Sequence, residues 1–284
     1  MGYMAGIAAF LVWGIGSSVL LRMVPLPGPV VTCAGCLIGG VIMLAWLGPR
    51  RWNEALALAR THPLRLLALS ANFACCSLTF QWAIKTTTVA NAILTHSLQA
   101  LVTCLVLLPL LGERRPDRRG LAALLLGLLG LGIVFWPQLA PGHGWFGIVM
   151  GALSAVFFAG FNVLLPWFKD KADRDVVQCC NLLLSAAMVS PAVLLMDWSV
   201  PGPAGTAALL GTGLFTFVVA NKLYYFAIQN APLGRIATLA YIEPVIAIGA
   251  AAAFLGEPVT AYAVAGGMLV LTSGALVVWE PSKT

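Results

Sequence analysis

Glu243 and Pro244 stand side by side inside the apolar run "YIEPVIAIGAAAAFLGEPVT", residues 241–260. A charge at the centre of a bilayer costs about 2.5–3.5 kcal/mol on insertion scales, so an acid kept there is a functional candidate. Ionised, Glu243 can hold an ammonium group, and by taking up a proton it can couple a cycle to a gradient. Protonated throughout, it is only a hydrogen-bond partner for a neighbouring helix, and both readings stay open. Pro244 deletes one backbone hydrogen bond and can turn a carbonyl toward a cavity.

A second polar set lies in another apolar run. His96, Gln99 and Thr103 are spaced i, i+3 and i+7, which puts them on one face of a helix. An imidazole titrates near neutral pH and can follow a proton gradient; a hydrogen bond between helices is the plainer alternative. Further candidates are Asn72, which shares a face with Cys76 and Thr79, then Trp82, Trp13 with Ser17, and Asn162 with Phe158 and Phe161. Asn221 and Tyr225 are i, i+4 neighbours beside Tyr224 and Lys222, and Lys222 is near enough to a helix end to snorkel. Aromatic walls with a few amides and hydroxyls suit an amphipathic metabolite, and equally suit ordinary helix packing. Trp82 reads more readily as an interface anchor than does Trp13, which falls in mid-run.

Other chemistries find little support. The seven cysteines include Cys33 and Cys36 as a Cys-x-x-Cys and two adjacent pairs, all in or near apolar runs without a second pair at zinc spacing. They read as small hydrophobes, and no metal or other cofactor is expected. "GLLGLG", residues 127–132, lies inside an apolar run with no strand before it, and no Gly-Lys-Ser/Thr phosphate loop occurs. The charged stretch "KDKADRD", residues 169–175, alternates in sign and reads as a solvated connector.

These candidates need elements to hold them. The chain is 60% hydrophobic and only 9% charged, where a soluble domain carries about 25% charged residues. A bilayer core takes about 20 apolar residues per helix. That length divides the chain into ten spans at about 3–22, 28–48, 64–84, 87–111, 119–136, 145–168, 175–196, 204–228, 234–255 and 259–279. The first run has no charged leader and is expected to be a span, not a removed signal peptide. With both termini in the cytoplasm, all Lys and Arg fall on the inner side except Arg22 and Lys85 outside and Lys222 within a span. The net charge of +6 is then explained by topology and needs no nucleic-acid partner.

The chain also repeats itself. "LLGE" ends at Glu113 and "FLGE" at Glu257, 144 residues on, and the same shift lays Gln99 on Glu243 and Gly130 on Gly274. "GIAAFLVWGIGSS" near the start resembles "GALSAVFFAGFNV" at the same offset or one more. Each copy, 1–140 and 141–284, holds five spans, so the second enters the membrane from the opposite side. Inverted repeats of this kind mark carriers that alternate between inward-open and outward-open forms. Gly112 and Gly256 fall where helices should stop, which makes the paired glutamates a seam first and a functional pair only second.

Ten helices in two inverted five-helix copies, with Leu-Gly-Glu closing the fourth span of each, resemble the EamA-type branch of the drug/metabolite transporter superfamily. The resemblance covers the whole chain, and residues 241–260 carry it best. The first copy departs from it, with Gln99-Ala100 where Glu243-Pro244 stand in the second. What the resemblance implies is a bacterial inner-membrane protein that exports or exchanges small metabolites, often amino acids; a monomer or homodimer is expected. The alternatives are a polytopic membrane enzyme acting on lipid-linked substrates and a passive solute channel.

Overall fold

The computed structural model describes the chain apart from residues 88, 113–115, 137–143, 257–258 and 279–284, and apart from the side chains of 17, 18, 22, 85, 89–91, 251 and 255. Glu113, Glu257 and the Ser17 side chain therefore lie outside the described residues. Among the described residues nine helices have the length and apolar composition to cross a bilayer. They are α2 (Gly28–Thr61), α3 (Pro63–Thr86), α4 (Ala92–Leu110), α5 (Arg118–Phe135), α6 (Trp145–Phe168), α7 (Arg174–Leu194), α8 (Pro203–Asn230), α9 (Leu233–Phe254) and α10 (Ala261–Val278). Before them, α1 (Gly2–Ile15) is short as an α-helix but runs on through a π turn, Gly16–Leu20, and a 3-10 turn, Leu21–Met23. The whole run rises about 33 Å, so ten helical runs stand where ten spans were expected.

Helix ends follow their sequence signals. Gly112 and Gly256 take φ of 81° and 68°, the left-handed conformation that stops a helix. Asp117 then caps α5 by accepting from the Gly120 amide at 2.8 Å, and Thr260 does the same for α10 through Ala263 at 3.1 Å. One boundary differs from expectation. The second span was expected at about 28–48, but Gly48 turns at φ 69° and Pro49 restarts a helix that lasts to Thr61. A proline opening the first turn costs no hydrogen bond, and Trp52 pins the new segment back by donating to the Leu44 carbonyl at 2.9 Å.

Two spans are interrupted near their middles. In α4 the helix turns at Ser97–Leu98, where Leu98 N donates to Thr95 O, and a π segment, Val102–Leu107, follows. In α9 the helix breaks after Leu239, Tyr241 N donates to Thr238 O, and a new segment starts at Ile242. A third π segment, Thr212–Ala220, lies within α8.

The packing of the helices has a regular plan. α2 packs on α7 and α5 on α10; α3 packs on α6 and α7, α4 on α6, α1 on α8 and α9, and α2 on the π segment of α8. Advancing every helix number by five regenerates this set. Several close approaches by glycines follow the same rule. A methyl group on Gly2 would lie 2.9 Å from the Ala231 Cβ, and one on Gly147 would lie 2.6 Å from the Thr87 Cβ. Gly6 meets Ile236 as Gly151 meets Ala92, and Gly16 meets the Thr216 hydroxyl as Gly160 meets the Asn72 amide oxygen. Each pair recurs 144 or 145 residues along the chain. Thus α1, α3, α4, α6, α8 and α9 surround the centre, with α2·α7 and α5·α10 flanking it.

Candidate functional site

Tyr224, Asn162 and Gln99 form one directed chain of hydrogen bonds at that centre. The Tyr224 hydroxyl donates to Asn162 Oδ1 at 2.6 Å, and Asn162 Nδ2 donates to Gln99 Oε1 at 3.1 Å. Gln99 Nε2 donates in turn to the Ala237 carbonyl oxygen at 3.3 Å. All three side chains are buried. Each spends its polarity on the next, and together they tie α8, α6, α4 and α9 just ahead of the break in α9.

An aromatic wall adjoins the chain. The Trp13 ring centroid lies 5.0 Å from Tyr224 and 6.3 Å from Phe158, Phe158 lies 5.4 Å from His96, and His96 lies 4.7 Å from Phe80. Ser154 donates its hydroxyl to the Gly151 carbonyl at 2.7 Å, so its oxygen, 2.8 Å from His96 Nδ1, accepts the proton on that nitrogen. The neutral imidazole then keeps Nε2 as its acceptor. Trp13 Nε1 donates to the Thr216 carbonyl at 3.0 Å. That carbonyl belongs to the π segment of α8, where the altered ladder leaves backbone oxygens to side chains. Asn221 Nδ2 reaches the Thr216 and Phe217 carbonyls at 3.2 and 3.0 Å, and Gln178 Nε2 reaches those of Phe217 and Val218 at 3.1 and 2.9 Å.

Glu243 opens the second segment of α9. Its backbone lies against α1, where a methyl on Gly14 would come within 2.8 Å of the Glu243 carbonyl oxygen. The residue as a whole is half-buried, and its carboxyl group is within electrostatic range of Cys76 on α3 and of Tyr224. Pro244 has no N–H to offer the Ala240 carbonyl, which accepts from Glu243 N at 3.1 Å instead. The proline thus explains the tight turn that brings the acid to the centre.

Five of the nine residues singled out by sequence come together here: Trp13, His96, Gln99, Asn162 and Glu243. Asn72 stands at the edge, donating to its own helix at Ala68 O over 2.9 Å while its oxygen abuts Gly160. Asn221 braces the π segment through its hydrogen bonds to the Thr216 and Phe217 carbonyls. Tyr225 is buried against Phe161 at 6.0 Å, and Trp82, near the end of α3, makes none of these ring contacts. Tyr224, Phe80 and Ser154 were not among the nine. The offset between Phe80 and Tyr224, 144 residues, was the available signal.

Asp173 and Asp175 correct one expectation, since the stretch 169–175 is more than a solvated connector. Asp175 Oδ2 accepts from Lys222 Nζ at 2.9 Å and from Trp46 Nε1 at 3.1 Å, and the Lys222 ammonium sits 4.4 Å from the Trp46 ring centre. Arg51 bridges Asp173 at 3.0 Å and Glu54 at 3.2 Å. Asp173 caps α7, which sets Asp175 in its first turn facing α2 and α8. Burial by itself raises the Asp173 carboxyl, but the Arg51 and Asp175 backbone hydrogen bonds outweigh it and hold the group below the usual carboxylate range.

The profile of the EamA-like transporter family matches residues 145–279. An uncharacterized transporter of Archaeoglobus fulgidus is 30% identical over 199 residues, covering 70% of each chain. The chain belongs to the EamA-like transporter family. Protein RarD of Salmonella typhi is 24% identical over 277 residues, covering 87% of this chain and 93% of that one. An uncharacterized transporter of Pseudomonas aeruginosa is 25% identical over 270 residues, covering 90% and 86%. A crystal structure superposes with a TM-score of 0.82 over 98% of both chains at 19% identity, a likeness of fold alone. As a multi-span member of the EamA-like family, the chain is a membrane transporter, and its cluster of rings, amides and one acid lies where two interrupted helices meet.

Proposed function

We propose that this transporter is a secondary carrier that exports or exchanges small amphipathic metabolites, amino acids first among them, by alternating access. The two halves, 1–140 and 141–284, are the moving parts, and both termini are cytoplasmic in the inner membrane. The substrate lies between Trp13, Phe158, Phe80 and His96, with Glu243 holding its ammonium or taking up the coupling proton. The Tyr224–Asn162–Gln99 chain keeps α4 and α9 in register behind it.

One observation carries this reading: the helix contacts and the glycine approaches recur in pairs 144 or 145 residues apart around that cluster. Two equivalent halves can exchange roles, which gives inward- and outward-facing forms at little net cost. Broken helices at mid-depth expose backbone polarity only where they line a cavity. A ligand that binds the folded form raises its stability, by about 2.7 kcal/mol at a hundredfold excess over Kd. Purified protein screened by melting temperature against amino acids, nucleosides and small amines should be stabilised by at least one amino acid. Trp13→Ala and Glu243→Gln should abolish that shift. Stabilisation by none of the panel, or a shift that both variants keep, would contradict the site.

A further inference from the structure

The helical segment that Pro49 restarts, about 20 Å long at the usual rise, docks one face on α7. Ala55, Leu58 and Ala59 join the core there, the Cys180 thiol approaches the Ala55 carbonyl at 3.7 Å, and Arg51 bridges Asp173 at 3.0 Å. The adjoining face is different. Trp52, Leu56 and Arg60 follow at i, i+4 and i+8, which sets them in one strip. All three are exposed, Trp52 at 42% and Leu56 at 54%. The strip looks toward the bilayer, because Trp52 Nε1 reaches back to the Leu44 carbonyl at 2.9 Å, along the span that α2 has just completed. Trp46, on the last turn of that span, is 70% exposed, as suits a ring at the headgroup level.

The charges around this segment leave a positive surplus. Residues 48–65 and 169–175, with Lys222, hold eight basic and four acidic side chains. Glu54 and Asp173 are taken by Arg51, and Asp175 by Lys222. Among these described residues that leaves Asp170 alone against six basic groups. Arg65 lies over the Trp167 ring at 4.0 Å and Arg174 over Phe226 at 4.9 Å, contacts that keep their charge in place. Arg50 and Arg60, at the two ends of the segment, are exposed. The charged segments outside the described residues, 113–115 and 279–284, carry three basic and two acidic side chains, so they do not reverse the sign. A helix with an apolar strip and a basic surround lies in the plane of an anionic membrane surface.

We infer that this segment lies in the bilayer surface and binds anionic phospholipids, with Trp52 and Leu56 among the upper methylenes and Arg50 and Arg60 on headgroup phosphates. Arg60 ends the strip and can lay its stem along it while its guanidinium stays at the polar level. In the topology proposed above this is the cytoplasmic leaflet, whose surface is negative. The segment docks across the boundary between the two proposed halves, so lipid held here steadies the contact of α2 with α7.

The test strips the purified protein of lipid in mild detergent and adds phosphatidylglycerol or phosphatidylcholine with the same chains. Melting temperature and the lipid retained in native mass spectrometry are read, neither of which depends on transport or on orientation, so the result stands apart from the carrier reading. Phosphatidylglycerol should be retained in preference and should raise the melting temperature more. Arg50→Gln and Arg60→Gln should each lower that preference about fivefold, the worth of one basic residue close to an anionic surface. Arg60→Lys should keep most of it. Leu56→Glu, which places an acid on the exposed strip, should weaken retention as well, and Arg118→Gln, at the exposed start of α5, should change nothing. No preference in the wild type would overturn the proposal and leave the patch to a soluble acidic protein. Retention unchanged in Arg50→Gln, Arg60→Gln and Leu56→Glu would overturn it too, as would an equal loss in Arg118→Gln, which would make the preference an effect of overall charge.

Discussion

Asn162 both receives and donates in the central chain, taking the Tyr224 proton and giving its own to Gln99. Asn162→Ala strands the Tyr224 hydroxyl and the Gln99 oxygen together, at roughly 1–3 kcal/mol for a buried group left unpaired. A melting temperature lower by several degrees is the expected reading, and an unchanged one would mean the chain relaxes onto other partners. Gln99 and Asn162 were legible as polar residues on apolar helices. That they bond to each other was not, because spacing along a helix names a face and never the helix opposite. Tyr224 was passed over for Tyr225 for a related reason. Adjacent residues point about 100° apart on a helix, and only the packing of α8 against α1 and α6 turns Tyr224 to the rings and Tyr225 away.

Helix breaks and caps are the next scale. Pro244 announced the interruption of α9, and Gly112 and Gly256 announced the stops of α4 and α9. Pro244→Ala restores an N–H that can bond the Ala240 carbonyl, so α9 should straighten and carry Glu243 out of place. Transport should then fall while the melting temperature holds or rises, and an active variant would show that the break is not needed. The π segments were not legible, since no residue type specifies them as proline specifies a kink. Nor was the helix after Gly48, because hydropathy marks where a span ends but not what its connector does. At the start of α7, Asp173 has a lowered carboxyl pKa in the folded state. Its stabilisation is therefore present above the ordinary carboxylate range and is lost as pH falls through the lowered value. Asp173→Asn should flatten that acid arm of a stability profile by less than about 1 kcal/mol, as befits a half-exposed pair. A larger change would mean that Asp173 does more than bridge Arg51.

Across the whole molecule, the ten helical runs and the membrane class could be read from apolar run lengths. The recurring offset could be read from Leu-Gly-Glu and the Gly-rich first spans. The way helices group into a centre and two flanking pairs could not, because hydropathy marks a helix as a span and does not name its neighbours. The proposed carrier differs from a channel or an enzyme in one behaviour, exchange of solute through a site open to one side at a time. Counterflow in proteoliposomes tests it most directly, with vesicles preloaded with unlabelled amino acid and labelled amino acid added outside. Labelled solute should rise transiently above its equilibrium level in the wild type, and the overshoot should vanish with Glu243→Gln. Equilibration without overshoot, or no uptake of the amino acid that stabilises the purified protein, would contradict the account.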